Sequence, residues 1–376
     1  MSELASYSIQ AVFFALVAVV VVSRSKKTDL YQFALISIWL VGVIAIYARY
    51  GEGQDTFYSN DQQFHRQIFE YYLPNEGFHL GGIVSLRYLV TYPVYIISTF
   101  GFNALLVNKF LQLIALIKIY KVSSNYLKSL GMSSAIWHLP FLAGPLLIFM
   151  SLLSLRDVLL VYFSLLFITS SKQTNRIIGF FGAFLLRPHL GVALLLGYGI
   201  CLIAVSAKIR VGRIRILWIG LAVYICGTFT YWIGAAIRQG TAVQFQSSIF
   251  NQFNFSQMAA NFLGIQFLGL NNPSKGLVAA STFQLLFSRL LFFETILIPL
   301  LFLFSIFRHP EYLAKQKATV FYSFLFFYGV VSQTTWNSTR QNIPFLACMG
   351  VLAVADIEHF RKIKAKVVPK LLTATR

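Results

Sequence analysis

Between two apolar runs of a 376-residue chain lies GEGQDTFYSNDQQFHRQIFEYY, residues Gly51–Tyr72. It carries Glu52, Asp55, Asp61 and Glu70, a third of the chain's 12 acidic residues, with His65 and Arg66 among them. A carboxylate a few residues beyond an apolar run can act as a general base on an acceptor hydroxyl. Asp61, in FYSNDQQFH, is the first candidate for that role and Asp55 the second. The competing assignment is structural: Asn60 or Asp61 could cap a helix formed by QQFHRQIFEYY. Glu52 and Glu70 read as solvated charges.

A second set of chemically capable residues is basic. Arg156 and Asp157 adjoin in SLRD, and Arg187-Pro188-His189 ends a short apolar segment. Guanidinium is a planar fork that grips phosphate or carboxylate bidentately. Arg187 must snorkel to an interface or line a polar cavity that dips into the apolar layer. His189 could donate to phosphate or shuttle a proton. Adjacent Arg156 and Asp157 could equally satisfy each other and a helix end. Glu294, in the middle of LLFFETILIPLL, needs a partner, either Arg289 or an arginine of another helix, with a proton-coupled transport site as the alternative.

The elements that must position these groups follow from composition. The chain is 57% apolar and only 11% charged, with mean hydropathy +0.69. A soluble domain carries about 25% charged residues. The expectation is an all-α polytopic membrane protein, a single integral membrane domain over 1–376. Its apolar runs are continuous and do not alternate, which excludes a membrane barrel. No cleavable leader is expected, because Arg24, Lys26 and Lys27 follow the first apolar run instead of preceding it.

At about 20 residues per crossing, the sequence predicts about eleven transmembrane helices. Two long external loops are expected, 49–87 and 237–280, with a basic cytoplasmic tail over 361–376. The N-terminus is placed outside and the C-terminus inside by the positive-inside rule. Residues 88–102, interrupted by Pro93, read as a juxtamembrane or re-entrant piece.

The net charge of +19 does not point to nucleic acid, since the basic residues occupy short breaks between apolar runs. The predicted inner positions hold eight Arg and thirteen Lys; the remainder holds eight Arg and two Lys, Lys109 and Lys275. Lysine and arginine serve orientation equally. The arginine bias of the outer side therefore suggests an anionic ligand there, with headgroup anchoring as the alternative. Cys201, Cys226 and Cys348 all lie in apolar segments, and no metal-ligand spacing occurs.

Four stretches together give a resemblance to the bacterial polyprenyl-linked glycan enzymes of the GT-C superfamily, including the polymerases of O-antigen and exopolysaccharide. They are DTFYSNDQQFHRQ; TYPVYIISTFGFNALLVNKFLQLIA; the pair SLLSLRDVLLVYFSLLFI and GFFGAFLLRPHLGVALLL; and STRQNIPFLACMGVLA. The resemblance implies a GT-C-like bundle in a bacterial inner membrane. It also implies a lipid-phosphate-linked sugar donor and an acidic residue in the first external loop, supplied by Asp61 or Asp55. An additional N-terminal crossing and the lack of a soluble C-terminal domain favour the polymerase branch. Polymerases use external arginines on the lipid diphosphate; Arg66, Arg156, Arg187, Arg238 and Arg340 are the candidates, with Asp157 and His189 beside them.

The expected partners are a polyprenyl-(di)phosphate-linked glycan, membrane lipid and other polysaccharide-assembly proteins, with no nucleic acid. The donor is already activated, so no cofactor and no metal are expected. The alternatives are a transferase of a single sugar from a polyprenyl phosphate, a transporter of lipid-linked glycan or small solute, and a non-catalytic subunit.

Overall fold

A computed structural model describes residues 3–24, 29–51, 59–77, 88–132, 138, 142, 144–206, 213–239, 294, 297–308, 314–332 and 339–374. Among the described residues the chain is helical, with no strand. Helices α1 (Glu3–Ser23) and α2 (Leu30–Tyr50) pack on each other. The carboxylate of Asp29 caps α2 by accepting the Tyr31 N–H at 3.2 Å, and Gly51 ends it at φ 74.

The charged stretch then forms α3 (Ser59–Gln67), a five-residue π-helical turn (Ile68–Tyr72) and α4 (Leu73–Glu76). Short α5 (Tyr92–Ser98) leads to α6 (Ala104–Ser129), capped by the Asn103 side chain on the Leu106 N–H at 2.9 Å. Residues 88–90 are turns, so 88–102 contains only this one two-turn helix.

The second half holds α7 (Pro145–Ser151), α8 (Asp157–Thr169), α9 (Gln173–Leu186), α10 (Pro188–Ser206) and α11 (Arg213–Gln239). A helical stretch Leu297–Arg308 follows, then α12 (Ala314–Ser332) and α13 (Thr339–Ala374).

Two apolar clusters hold these elements. The first gathers α1, α2, the π-turn and the start of α6 around Trp39, Ile68 and Phe69. The second is larger and gathers α6 to α13 around Leu116, Leu160, Phe327 and Phe345. Leu111 of α6 packs against both.

Helix α12 is clasped between α10 and α11 through three glycines. A Cβ on Gly197 would strike Ser323, one on Gly227 the Phe326 carbonyl, and one on Gly329 the Tyr224 carbonyl. Side-chain-free positions of this kind let helix backbones approach closely.

Polarity is distributed inside out. Leu16, Val41, Ile203 and Trp218 are exposed, while Gln32, Lys109, Gln112, Asp157, Lys317 and Asp356 are buried. Soluble domains seldom bury Lys and Asp or present contiguous apolar faces. Among the described residues three stretches, Glu3–Ser23, Leu30–Tyr50 and Asn342–Arg361, are long and apolar enough to cross a membrane. These features are compatible with membrane association. In contrast, α8 and α9 have only 13 and 14 residues, about 20 Å each at 1.5 Å per residue.

Candidate functional site

The site forms where α8 begins and α9 ends. The two helices pack antiparallel, which brings Asp157, the first residue of α8, to Arg187, the residue that caps α9. Arg187 Nη2 donates to Asp157 Oδ1 at 3.3 Å, and both side chains are buried. Each charge also suits its helix end: a carboxylate at an N-terminus, a cation at a C-terminus.

Pro188 opens α10 at once, at a position where its missing N–H costs nothing. His189 therefore stands in the first turn of α10, its exposed imidazole stacked on Phe327 of α12 at 5.4 Å between ring centres. Arg156, half-buried, and Arg187 both lie within electrostatic reach of His189. With a neutral imidazole, two guanidinium groups and one carboxylate leave a net single positive charge. Such a cluster suits an anion and can grip phosphate bidentately.

Two amide side chains that sequence reasoning did not single out complete the support. Asn108 Nδ2 of α6 donates to Ser154 Oγ at 3.0 Å, and Gln112 Oε1 accepts the Leu159 N–H at 3.3 Å. Leu159 lies in the first turn of α8, where N–H groups lack helical partners. Arg156, at the N-cap, supplies no side-chain cap, so Gln112 does so from another helix. The signal in the sequence was three polar residues, Asn108, Lys109 and Gln112, within the otherwise apolar first half of α6; Lys109 too is buried.

Glu294 has a comparable role elsewhere. Its Oε2 accepts the Leu146 N–H at 3.0 Å, capping α7, whose N-cap residue is Gly144. The expected arginine partner is thus replaced by a backbone N–H among the described residues; Arg289 itself lies outside them.

The acidic stretch reaches the same end of the bundle by a different route. Asp61 is the third residue of α3, which begins at Ser59, earlier than the capping assignment required. Its backbone is described and its side chain is not; Asp55 lies outside the described residues. Arg66 pairs with Glu70 at 2.8 Å and lines a cleft of about 720 Å³ with Glu3, Tyr7, Gln10, Tyr47 and Asn103. Tyr7 and Tyr47 stack there, 3.8 Å between ring centres. The cleft's described lining includes none of Arg156, Asp157, Arg187 or His189. The first turns of α6 nevertheless join the two places: Asn103 borders the cleft, and Asn108, about 7.5 Å further along the helix, holds Ser154.

Arg340 has its backbone at this end as well. Phe345, five residues later on α13, packs against Phe327, the ring beneath His189. Arg238 is the penultimate residue of α11, and the side chains of both arginines are outside the described residues, as is the loop from 240 to 280. Comparison with protein-family models, with curated proteins and with solved structures gives no match for this chain.

Proposed function

We propose that the chain is an integral membrane glycosyltransferase that joins sugar repeat units carried on a polyprenyl diphosphate, at the outer face of a bacterial inner membrane. The observation that carries this reading is the recessed cluster of Arg156 and Arg187 with Asp157 and His189. Helices α8 and α9 are about 10 Å shorter than the roughly 30 Å hydrocarbon layer. If their shared turn, with Lys172 and Arg176, lies at the cytoplasmic headgroups, Arg187 lies below the outer surface at the depth of a lipid diphosphate. The arginine bias of the outer positions supports the same ligand.

In the reaction an acceptor sugar hydroxyl attacks the anomeric carbon of the donor glycan. Asp61, or Asp55, takes the hydroxyl proton as the new C–O bond forms. The bond from the anomeric carbon to the diphosphate oxygen breaks, and the diphosphate leaves with the electron pair. Arg156 and Arg187 stabilise the charge that develops on it, assisted by Arg238 and Arg340 from neighbouring helix ends. The cleft beside Arg66 offers aromatic and amide groups to the acceptor glycan. The full topology in this reading is about eleven crossings with the N-terminus outside and the C-terminus in the cytoplasm.

The test substitutes Asp61→Asn, Asp55→Asn and Arg187→Ala in turn and reads glycan length on lipid carriers at matched protein level. Loss of the ladder with single repeat units retained supports a polymerase. Loss of the first added sugar supports transfer of a single sugar. Long chains from all three variants would refute the site.

A further inference from the structure

At the opposite end of the bundle, Tyr198 of α10 is flanked by two cations from different helices. Arg176 of α9 places Cζ 5.7 Å from the ring centre, and Lys315 of α12 places Nζ 5.1 Å from it. Both separations are within cation–π range. Arg176 is fixed by two further bonds: Nε donates to the Ser170 carbonyl at 2.8 Å and Nη1 to the Tyr198 hydroxyl at 3.2 Å. Phe167 meets the same tyrosine edge-on at 5.7 Å. The backbone that carries Lys315 is held as well, its carbonyl accepting from Thr319 Oγ1 at 2.8 Å.

Among the described residues the two charges have no acidic counterpart. Among the described residues neither Arg176 nor Lys315 forms an ion pair, and no carboxylate lines the recess between them. The two acids of α13 are already engaged: Asp356 with Lys317 at 3.3 Å, and Glu358 with His138 and Arg361 at 3.8 Å each. Two like charges held around one ring, both partly buried, are stabilised by an anion from outside the chain.

We propose that Arg176, Tyr198 and Lys315 form a binding site for a phosphate-bearing anion, an acidic phospholipid headgroup in the leaflet that contacts this end. Basic pockets between membrane helices take such headgroups. The recess bounded by Phe167, Arg176, Tyr198, Lys315 and Thr319 holds about 20 Å³, room for one water or one phosphate oxygen. The phosphate therefore sits at the mouth, with Arg176 on one side and Lys315 on the other. The acyl chains lie along the apolar outer faces of α9 and α10, where Ile177, Phe181 and Ile203 are exposed. The site joins α9, α10 and α12, so a bound lipid ties together three helices that meet around Tyr198.

The test uses the purified full-length chain and follows phosphatidylglycerol binding by native mass spectrometry and by thermal shift, against phosphatidylcholine and inorganic phosphate. Phosphatidylglycerol is expected to bind and to raise the melting temperature above that in phosphatidylcholine. Its apparent affinity should fall about fivefold in Arg176→Gln or Lys315→Gln and about thirtyfold in the double variant. Lys315→Arg should retain it. Equal charge-dependent stabilisation by inorganic phosphate would keep the site and identify the free ion as its ligand. Preference for phosphatidylglycerol that survives in the double variant, or its absence in the parent chain, would overturn the proposal. Lys315→Gln, on a partly exposed side chain, serves as the folded control if the double variant fails to fold.

Discussion

Neutralising the Arg187–Asp157 pair separates its structural contribution from its chemistry. Arg187→Gln leaves the Asp157 carboxylate buried at 1% exposure without its guanidinium. Removing one member of a buried pair costs about 3–5 kcal/mol. Asp157→Asn removes the carboxylate from the buried guanidinium and should cost a similar amount. The double variant Asp157→Asn/Arg187→Gln removes both charges and keeps amides that can bond to each other. It should recover all but about 1–2 kcal/mol, giving a coupling of at least about 4 kcal/mol in the double-mutant cycle. Denaturant unfolding of the purified chain measures the cycle. The same variants are then assayed for glycan ladders. The double variant should be folded and inactive, because a glutamine cannot replace a guanidinium at a diphosphate. A stable double variant that still makes long chains would show that Arg187 only holds α8 to α9, and the diphosphate reading would fail. An Arg187→Gln chain within about 1 kcal/mol of the parent would refute the burial argument.

Two further expectations concern the remainder of the bundle. Lys317 and Asp356 are both buried and paired at 3.3 Å, with Lys317 Nζ also donating to the Ser305 carbonyl at 3.4 Å. Lys317→Met should lose about 3–5 kcal/mol and Lys317→Met/Asp356→Leu should regain most of it, read as melting temperature in one detergent. Gly227→Ala should destabilise by about 1–3 kcal/mol, because the new Cβ meets the Phe326 carbonyl and α11 must move off α12. Unchanged stability there would contradict the close helix contact.

The helical class was legible from the continuous apolar runs, which do not alternate as strands of a membrane barrel would. The approach of Arg187 to Asp157 was half legible. A ten-residue apolar segment ending in Arg-Pro-His implied a recessed arginine, and Arg156–Asp157 marked the start of the preceding helix. Pairing between the two required the antiparallel packing of α8 on α9, which no local pattern encodes. The caps provided by Gln112 and Glu294 were illegible for the same reason: each acts on a helix 47 or 148 residues away. Asp61 illustrates the opposite case. Its neighbours Ser59 and Asn60 are all good caps, so sequence alone could not choose the first residue of α3.

The glycine contacts around α12 restrict how the molecule can move. With Gly197, Gly227 and Gly329 seated directly on neighbouring backbone, α10, α11 and α12 cannot slide past one another without steric collision. They must travel as one block, and the stacking of His189 on Phe327 travels with them. Under the proposed function, a bulky substrate would not enter by parting these three helices. On the other side of the site, α8 meets α6 through shared apolar packing and the bonds of Asn108 and Gln112, and α7 is only seven residues long. If the proposed glycosyl transfer is correct and the lipid tail enters from that side, crosslinks that staple α6 to α8 should block turnover while staples within the glycine-seated block leave it intact.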